Sequence, residues 1–225
     1  MHIGVLALQG DFHAHLTQLR HLGASCGEVR SRVQLARADA LIIPGGESTT
    51  LWRLLEVLEL EQPLRAWLAE GKPVFGTCAG AILLAREILG PDRAGLGALD
   101  IDVRRNAYGR QIDSFLAPAE RTAPGFEGLE CLFIRAPVFE RIGPQVEVLA
   151  EVGGRPVWVR EGRAMAATFH PELTHDLRVH RAFLELASAG GSCRSTAETS
   201  SRATPYASSS SPATALARSA SAGGR

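Results

Sequence analysis

A cysteine flanked by glycines is the first feature of this sequence that suggests chemistry. Cys78 lies between Gly76 and Gly80, after a short apolar strand and before a helix-forming series. This G-x-C-x-G spacing is typical of a nucleophile elbow, a sharp turn that lifts a reactive side chain into a cleft. The glycines leave room because they lack a Cβ, and the following helix directs its N–H groups at the sulfur, which favours a thiolate. A buried core cysteine is the alternative.

A histidine and a glutamate late in the chain can complete such a site. His170 follows a predicted strand over 164–169, and Glu172 lies two residues further on. A thiol nucleophile needs a base, and the base needs an orienting group. Residues beyond the carboxyl ends of parallel strands face one crevice, so His170 can meet Cys78 if their strands are neighbours. The three side chains predict acyl transfer through a thioester; for His170 alone, a structural loop histidine is the alternative.

A glycine-rich turn supplies candidate anion contacts. The segment 44–50, Pro-Gly-Gly-Glu-Ser-Thr-Thr, joins a predicted strand to a predicted helix and offers backbone N–H groups. It lacks the Gly-Lys-Ser/Thr ending of a phosphate loop, so we expect no nucleotide or phosphate cofactor there. Gly46, in the Gly45-Gly46 pair, and Ala79 are the candidate donors to an oxyanion. An ordinary strand-to-helix turn with capping hydroxyls is the alternative.

Two further groups of polar residues could bind a ligand or face a partner. The arginine-rich stretch 104–111 is either a solvated hairpin tip or a ligand-facing loop, because arginine binds carboxylates with two hydrogen bonds. Three histidines, His13, His15 and His21, fall in the first predicted helix. No further ligand completes a metal site there, so we expect these histidines to be exposed or to face a partner.

Alternating strands and helices must position these groups. Apolar runs predict buried strands, and leucines three and four residues apart predict helices. This alternation indicates an α/β fold whose central, mostly parallel sheet is flanked by helices. The helix after Cys78 is predicted to continue to about Leu89. Besides the strand before Cys78, the predicted strands cover 3–8, 27–32, 40–43, 99–103, 129–135, 146–150, 156–160 and 164–169, and the other helices 11–22, 51–60 and 176–187.

The charge and the cysteines of the chain indicate which partners and which cellular compartment to expect. The chain of 225 residues carries 24 basic and 24 acidic side chains, which indicates neither a nucleic acid nor a membrane surface as partner. It has no apolar run long enough to span a bilayer and no leader pattern at its start. Its four cysteines show no C-x-x-C pairing, which predicts a reducing cytoplasm rather than a disulfide framework or a zinc site.

Composition divides the chain into two parts. Residues 1–188 contain the predicted elements and form one domain. Residues 189–225 consist largely of Ser, Ala, Thr and Arg, with few apolar residues and no periodicity. Such a segment cannot bury enough surface to fold, so we predict a disordered, low-complexity tail without a function of its own. Binding of an acidic partner through its arginines is the alternative.

Several motifs carry a resemblance to a known family. Residues 76–80, Gly-Thr-Cys-Ala-Gly, with 170–172, His-Pro-Glu, resemble the class I, or triad, glutamine amidotransferases. A wider set of segments resembles the glutaminase subunit of pyridoxal 5′-phosphate synthase and covers residues 2–187 in the same order. The resemblance implies the three-layer, flavodoxin-like fold of class I glutamine amidotransferases. The segments of the wider set are 4–10, 44–50, 105–111, 133–137 and 169–173.

The resemblance implies an activity and a partner. Such a subunit hydrolyses L-glutamine to glutamate and ammonia, without a metal or other cofactor. The ammonia passes to a (β/α)8-barrel synthase subunit, which builds pyridoxal 5′-phosphate from a pentose phosphate and a triose phosphate. The two subunits form a hetero-oligomer with twelve copies of each. Family members are weakly active alone and are activated by the synthase, when the oxyanion turn reorganises.

The resemblance also implies residue roles. Cys78 is the nucleophile, His170 the base and Glu172 its orienting group. The glutamine-binding positions are Gly46, Glu47, Ser48, Arg105, Ile134 and Arg135. A free amino acid offers a carboxylate to an arginine and an ammonium to an acceptor, which is consistent with this set.

Two departures and three alternatives accompany the resemblance. The family's first helix usually carries Glu-His, whereas Ala14 precedes His15 here, which affects a detail of the partner interface. The segment after Ser188 has no counterpart. A triad glutaminase serving another synthase is one alternative, although the segments 105–111 and 133–137 argue against it. A catalytically silent binding subunit would be expected to lack a triad residue, and an oxidant sensor would not require His-Pro-Glu.

Overall fold

A mixed sheet of eight strands forms the centre of the computed structural model, which describes residues 1–90, 94–105 and 114–189. The strands of this sheet are β1 (His2–Leu6), β2 (Ser25–Val29), β3 (Ala40–Ile43), β4 (Val74–Thr77), β8 (Arg121–Thr122), β11 (Glu147–Val152), β12 (Arg155–Glu161) and β13 (Ala164–Ala167). Their order across the sheet is β2-β1-β3-β4-β13-β12-β11-β8. The first five are parallel, and β12, β11 and β8 continue the sheet in antiparallel fashion. The predicted α/β class with a mainly parallel sheet is confirmed.

Helices cover both faces of this sheet. They are α1 (Phe12–His21), α2 (Arg32–Arg37), α3 (Ser48–Val57), α4 (Glu61–Ala69), α5 (Ala79–Leu84) and α6 (Arg178–Ser188), with a short 3₁₀ turn at Pro171–Leu173. Side chains alternate between the two faces along each strand. In β3, Ile42 packs with α1 and α6 residues such as Leu16 and Phe183, whereas Ile43 packs with α3 residues such as Leu51. This arrangement gives the predicted three layers.

Two smaller sheets lie beside the main one. The first has the order β10-β6-β5, and the second pairs β7 with β9 in antiparallel fashion. The bounds of these strands are β5 (Ala85–Leu89), β6 (Leu99–Arg104), β7 (Ser114–Pro118), β9 (Glu130–Ile134) and β10 (Val138–Ile142). Since β9 leads directly into residues 134 and 135, this second sheet positions one part of the candidate site.

The predicted helix from the elbow to Leu89 is too long. The chain leaves the helical conformation at Ala85 (φ −59°, ψ 155°), and β5 follows. The carbonyls of Leu83, Leu84 and Ala85 accept hydrogen bonds from the backbone of residues 96–98 at 2.7–3.0 Å. These contacts with a later segment replace the helical bonds, so the helix ends five residues early.

Parts of two predictions fall outside the described residues. They are residues 106–111 of the polar stretch and the predicted tail beyond Ala189. Among the helices of the described ranges, none combines the length and the apolar character that crossing a bilayer requires.

Candidate active site

Cys78 occupies the turn between β4 and α5. Its backbone angles, φ +46° and ψ −100°, are rarely adopted by an L-residue, as expected for a strained elbow. The two glycines permit close backbone contacts. A Cβ at Gly76 would lie 2.6 Å from the Gly80 carbonyl, and a Cβ at Gly80 would collide with the carbonyl oxygen of Ile43 in β3. Cys78 is only 6% exposed, so its sulfur lies in a largely water-free site.

His170 and Glu172 reach this site because β13 lies directly beside β4. The parallel register pairs Ala167 with Thr77, which places the residues after both strands at the same edge of the sheet. His170 is held by its own N–H, which donates to the Leu132 carbonyl at 2.8 Å. Its Nδ1 lies 2.7 Å from Oε1 of Glu172, and both side chains are buried. This leaves Nε2 of His170 for proton transfer.

The surroundings of His170 favour its protonated form. Burial alone would lower the pKa of the imidazole, but the neighbouring Cys78 and Glu172 side chains outweigh burial and raise the pKa to about 10. The ring is therefore an imidazolium at neutral pH. A cation beside a sulfur stabilises a thiolate, which is the nucleophilic form of cysteine.

The glycine-rich turn between β3 and α3 closes over the same site. The N–H of Gly45 donates to Thr77 Oγ1 at 2.9 Å, and the N–H of Glu47 donates to Gln9 Oε1 at 2.7 Å. Side chains thus fix the turn on both sides of Gly46, the predicted oxyanion donor. Ala79, the other predicted donor, is the first residue of α5, where N–H groups have no partner within their own helix.

The predicted glutamine-binding residues lie around Cys78 and this turn. Arg105 donates to Thr49 Oγ1 at 2.9 Å and lies 3.6 Å from Oε1 of Glu47. Ser48 is buried at the start of α3, and with Arg105 it lines a cleft of about 380 Å³.

The segment after β9 provides the other two predicted binding residues. The carbonyl oxygen of Ile134 lies 3.9 Å from the sulfur of Cys78. Arg135 is exposed and adopts a left-handed conformation (φ +42°), which turns the chain away from the strand. Ile134 therefore borders Cys78, as Arg105 borders the turn, and Arg135 is the next residue along the chain.

One histidine of α1 contradicts the sequence-based expectation. His13 and His21 are exposed, as predicted, but His15 is completely buried. Its Nε2 lies 3.4 Å from Oε2 of Glu172, so it borders the candidate triad. The signal was present, because His15 lies four residues before the buried Leu19 and therefore shares its helix face.

Sequence reasoning also missed the contacts made by Gln9, Thr77 and His180. Gln9 and Thr77 hold the glycine-rich turn, and His180 of α6 lies 2.9 Å from His15. These contacts join segments far apart in the chain, and no local pattern predicts them.

The described residues include one group with metal-ligand chemistry near the site. Ligand atoms of Asp11, His170 and Glu172 lie within 4.8 Å of one another. The His170 and Glu172 atoms that face each other are already joined by a hydrogen bond, and Asp11 is exposed. The group therefore gives no support for a resident metal.

Comparison with known sequences gives consistent matches over most of the chain. The sequence pattern of the SNO glutamine amidotransferase family matches residues 5–188. A relative from Frankia casuarinae, named pyridoxal 5′-phosphate synthase subunit PdxT, is 54% identical over 194 residues, covering 85% of this chain and 98% of the relative. Proteins of the same name from Deinococcus radiodurans (83% of this chain, 97% of the relative) and Thermus thermophilus (82% and 97%) are 52% and 54% identical.

Solved structures agree with these matches. A protein described as a glutamine amidotransferase is 51% identical, with a TM-score of 0.77, covering 83% of this chain and 98% of that one. A protein from Thermoplasma acidophilum, described as one of the subunits of GMP synthase, is 18% identical, with a TM-score of 0.60, over 84% of this chain and 94% of that one. The second match concerns the fold alone.

Proposed function

Because the chain belongs to the SNO glutamine amidotransferase family, we propose that it is the glutaminase subunit of a pyridoxal 5′-phosphate synthase. It hydrolyses L-glutamine to glutamate and ammonia. The observation that carries the proposal is the convergence of Cys78 with the buried His170–Glu172 pair at one edge of the sheet. The names of relatives about half identical to this chain support the choice of synthase.

The first half of the reaction forms a thioester. The Cys78 thiolate attacks the side-chain amide carbon of glutamine, and the N–H groups of Gly46 and Ala79 stabilise the oxyanion that develops. His170, protonated at neutral pH, gives its Nε2 proton to the leaving nitrogen, and the C–N bond breaks to release ammonia. Glu172 holds the imidazole in the required orientation through Nδ1.

The second half of the reaction regenerates the enzyme. His170, now neutral, takes a proton from a water molecule that attacks the thioester carbon. The second tetrahedral intermediate expels the Cys78 thiolate and leaves glutamate. In this proposal Arg105 binds the α-carboxylate of glutamine, and Glu47, Ser48, Ile134 and Arg135 complete the binding site. The reaction consumes one water and one glutamine and requires no cofactor.

The ammonia is used by a second subunit. We place this chain in a hetero-oligomer with a (β/α)8-barrel synthase, twelve copies of each, in which ammonia passes between the subunits without release. The free thiols of Cys26, Cys78 and Cys131 support a reducing compartment, the cytoplasm.

The test measures glutamate release from L-glutamine with and without the cognate synthase subunit. The wild type should be stimulated by the synthase, and Cys78→Ala should lower kcat at least about a thousandfold, because it removes the nucleophile. Cys26→Ala, a half-buried cysteine outside the site, is the matched control and should retain wild-type kcat.

A label on the amide nitrogen tests the transfer step. Labelled nitrogen should enter pyridoxal 5′-phosphate even in an excess of unlabelled ammonium. If the folded wild type bound to the synthase releases no glutamate, the proposal is wrong and the chain is a binding subunit. Hydrolysis without labelling of the product would instead indicate a glutaminase for another synthase.

A further inference from the structure

Two fully buried imidazoles lie behind the candidate triad. His15 of α1 and His180 of α6 are both 0% exposed, and Nδ1 of His15 lies 2.9 Å from Nε2 of His180. Apolar side chains would stabilise a contact between two packed helices better, because burying a polar group costs free energy. Packing alone therefore does not account for this pair.

The other ring nitrogen of His15 lies between two parts of the site. Nε2 of His15 is 3.1 Å from Thr77 Oγ1 and 3.4 Å from Oε2 of Glu172. Thr77 Oγ1 also accepts the Gly45 N–H at 2.9 Å. A single imidazole thus connects the carboxylate that orients His170 with the turn that contains the oxyanion donor.

The protonation pattern of the pair follows from its surroundings. Burial lowers the pKa of His180 to about 4, and burial with the nearby His180 and His170 rings lowers that of His15, so both rings are neutral at neutral pH. Nδ1 of His180 is buried and has no hydrogen bond to any described residue. An unpaired lone pair there is less costly than an unpaired N–H, so the proton of His180 lies on Nε2 and is donated to Nδ1 of His15.

This assignment fixes the remaining proton on Nε2 of His15. That N–H then faces both the Thr77 hydroxyl and Oε2 of Glu172. Among the described residues, Oε2 has no hydrogen bond within normal geometry. The opposite tautomer would direct a lone pair at the carboxylate and would be repelled.

We propose that His15 is a positioning residue of the glutaminase reaction, which links the His170–Glu172 pair to the oxyanion turn through its Nε2–H, with His180 fixing its tautomer. The inference rests on the proposed function. His15 does not touch the reacting atoms; it holds Glu172 so that Oε1 faces His170, and it holds Thr77 so that the hydroxyl receives the Gly45 N–H.

The test compares substitutions at two histidines and one threonine, all measured in the complex with the synthase. His15→Leu removes the donor, and kcat should fall about 10- to 100-fold, as expected when catalytic groups are misplaced by fractions of an ångström. KM for L-glutamine should stay within about twofold of wild type, because His15 is outside the predicted glutamine-binding set. His15→Gln keeps an N–H donor and should recover part of kcat, and His175→Leu, at an exposed histidine outside the predicted site, should behave as wild type.

A second readout is independent of glutamine turnover. The rate at which iodoacetamide alkylates Cys78, followed by mass spectrometry, reports the imidazolium–thiolate pair directly. In His15→Leu this rate should fall several-fold near neutral pH and approach the wild-type rate at alkaline pH. If His15→Leu does not fold, Thr77→Val breaks the same link and should show the same losses, with recovery in Thr77→Ser.

The outcomes separate this inference from the proposed function. Lower melting temperatures with wild-type kcat and wild-type alkylation rates in His15→Leu, or in Thr77→Val, would overturn the positioning role. A wild type that releases no glutamate would overturn the proposed function instead. In that case the alkylation rates would still decide whether His15 positions the Cys78–His170 pair.

Discussion

At the residue scale, the geometry of the site depends on a glycine that carries no functional group. A Cβ at Gly45 would collide with Cε1 of His170 and lie 2.9 Å from its Nδ1 and 3.3 Å from the Cβ of Cys78. The turn therefore passes close to both His170 and Cys78, and it leaves no room for a side chain at residue 45. Gly10 has a similar role behind the turn, since a Cβ there would collide with the Gly45 carbonyl oxygen.

We predict that Gly45→Ala lowers kcat about 10- to 100-fold, because the added methyl group forces His170 away from Cys78. The measurement is glutamate release in the presence of the synthase, with urea unfolding to establish that the protein is folded. Gly27→Ala is the matched control, since its Cβ would meet only the end of the His2 ring, at 3.2 Å. A folded Gly45→Ala variant with the kcat of wild type would show that the turn can move aside.

The sequence alone predicts that Cys78, His170 and Glu172 lie close together, because each follows a strand at a short, recognisable spacing. It is not sufficient for His15. The environment of that side chain depends on His180, 165 residues away along the chain. Helix periodicity indicates that a residue is buried, but it cannot identify which side chain from another helix meets it.

At the element scale, the parallel strands of the main sheet follow from local patterns, and so do β6 and β9 of the two smaller sheets, whereas β5 does not. Central parallel strands of the main sheet include short apolar runs, such as Ala40–Ile43 and Ala164–Ala167, in which all four residues are buried. In contrast, β5 has two exposed residues, Arg86 and Glu87, and its sequence predicts a helix. It is a strand because β6, which follows later in the chain, pairs with it. Pairing with a distant segment overrides weak local preference.

The contact between α1 and α6 makes stability dependent on pH. The pKa of His180 is about 4 in the folded protein and ordinarily 6.5, so the unfolded chain binds the additional proton between these values. Above about pH 6.5 the neutral His180 ring does not weaken the folded state. As the pH falls from 6.5 towards 4, protonation of the unfolded chain progressively lowers the free energy of unfolding. We predict that the titration of His180 accounts for about 2–3 kcal/mol of the free energy of unfolding that is lost between about pH 7 and pH 4.5.

Substitution isolates this contribution. His180→Gln keeps an N–H donor but does not titrate, so its free energy of unfolding, measured by urea denaturation, should fall less between the two pH values than that of wild type. The exposed His21→Gln should retain the wild-type dependence. Equal losses in His180→Gln and wild type would show that His180 takes up its proton without unfolding.

At the scale of the whole molecule, topology determines where the site lies. Residues after β3, β4 and β13 meet because these strands are parallel neighbours, and their carboxyl ends lie at one edge of the sheet. Apolar cores on both faces make the strands rigid. The site is therefore formed by turns of different parts of the chain held on one stable support, and its residues need not be close in sequence.

The C-terminal residues 190–225 are predicted to be dispensable. The family match ends at residue 188, and the buried residues of the described chain end at Ala187. Removing residues 190–225 should therefore change the free energy of unfolding by no more than about 0.5 kcal/mol and leave synthase-stimulated glutamate release unchanged. Truncation before Arg178 is the matched control, because it also deletes the buried Val179, His180 and Phe183 and should abolish cooperative unfolding. If the shorter truncation alone destabilises the protein or weakens its response to the synthase, residues 190–225 belong to the working enzyme.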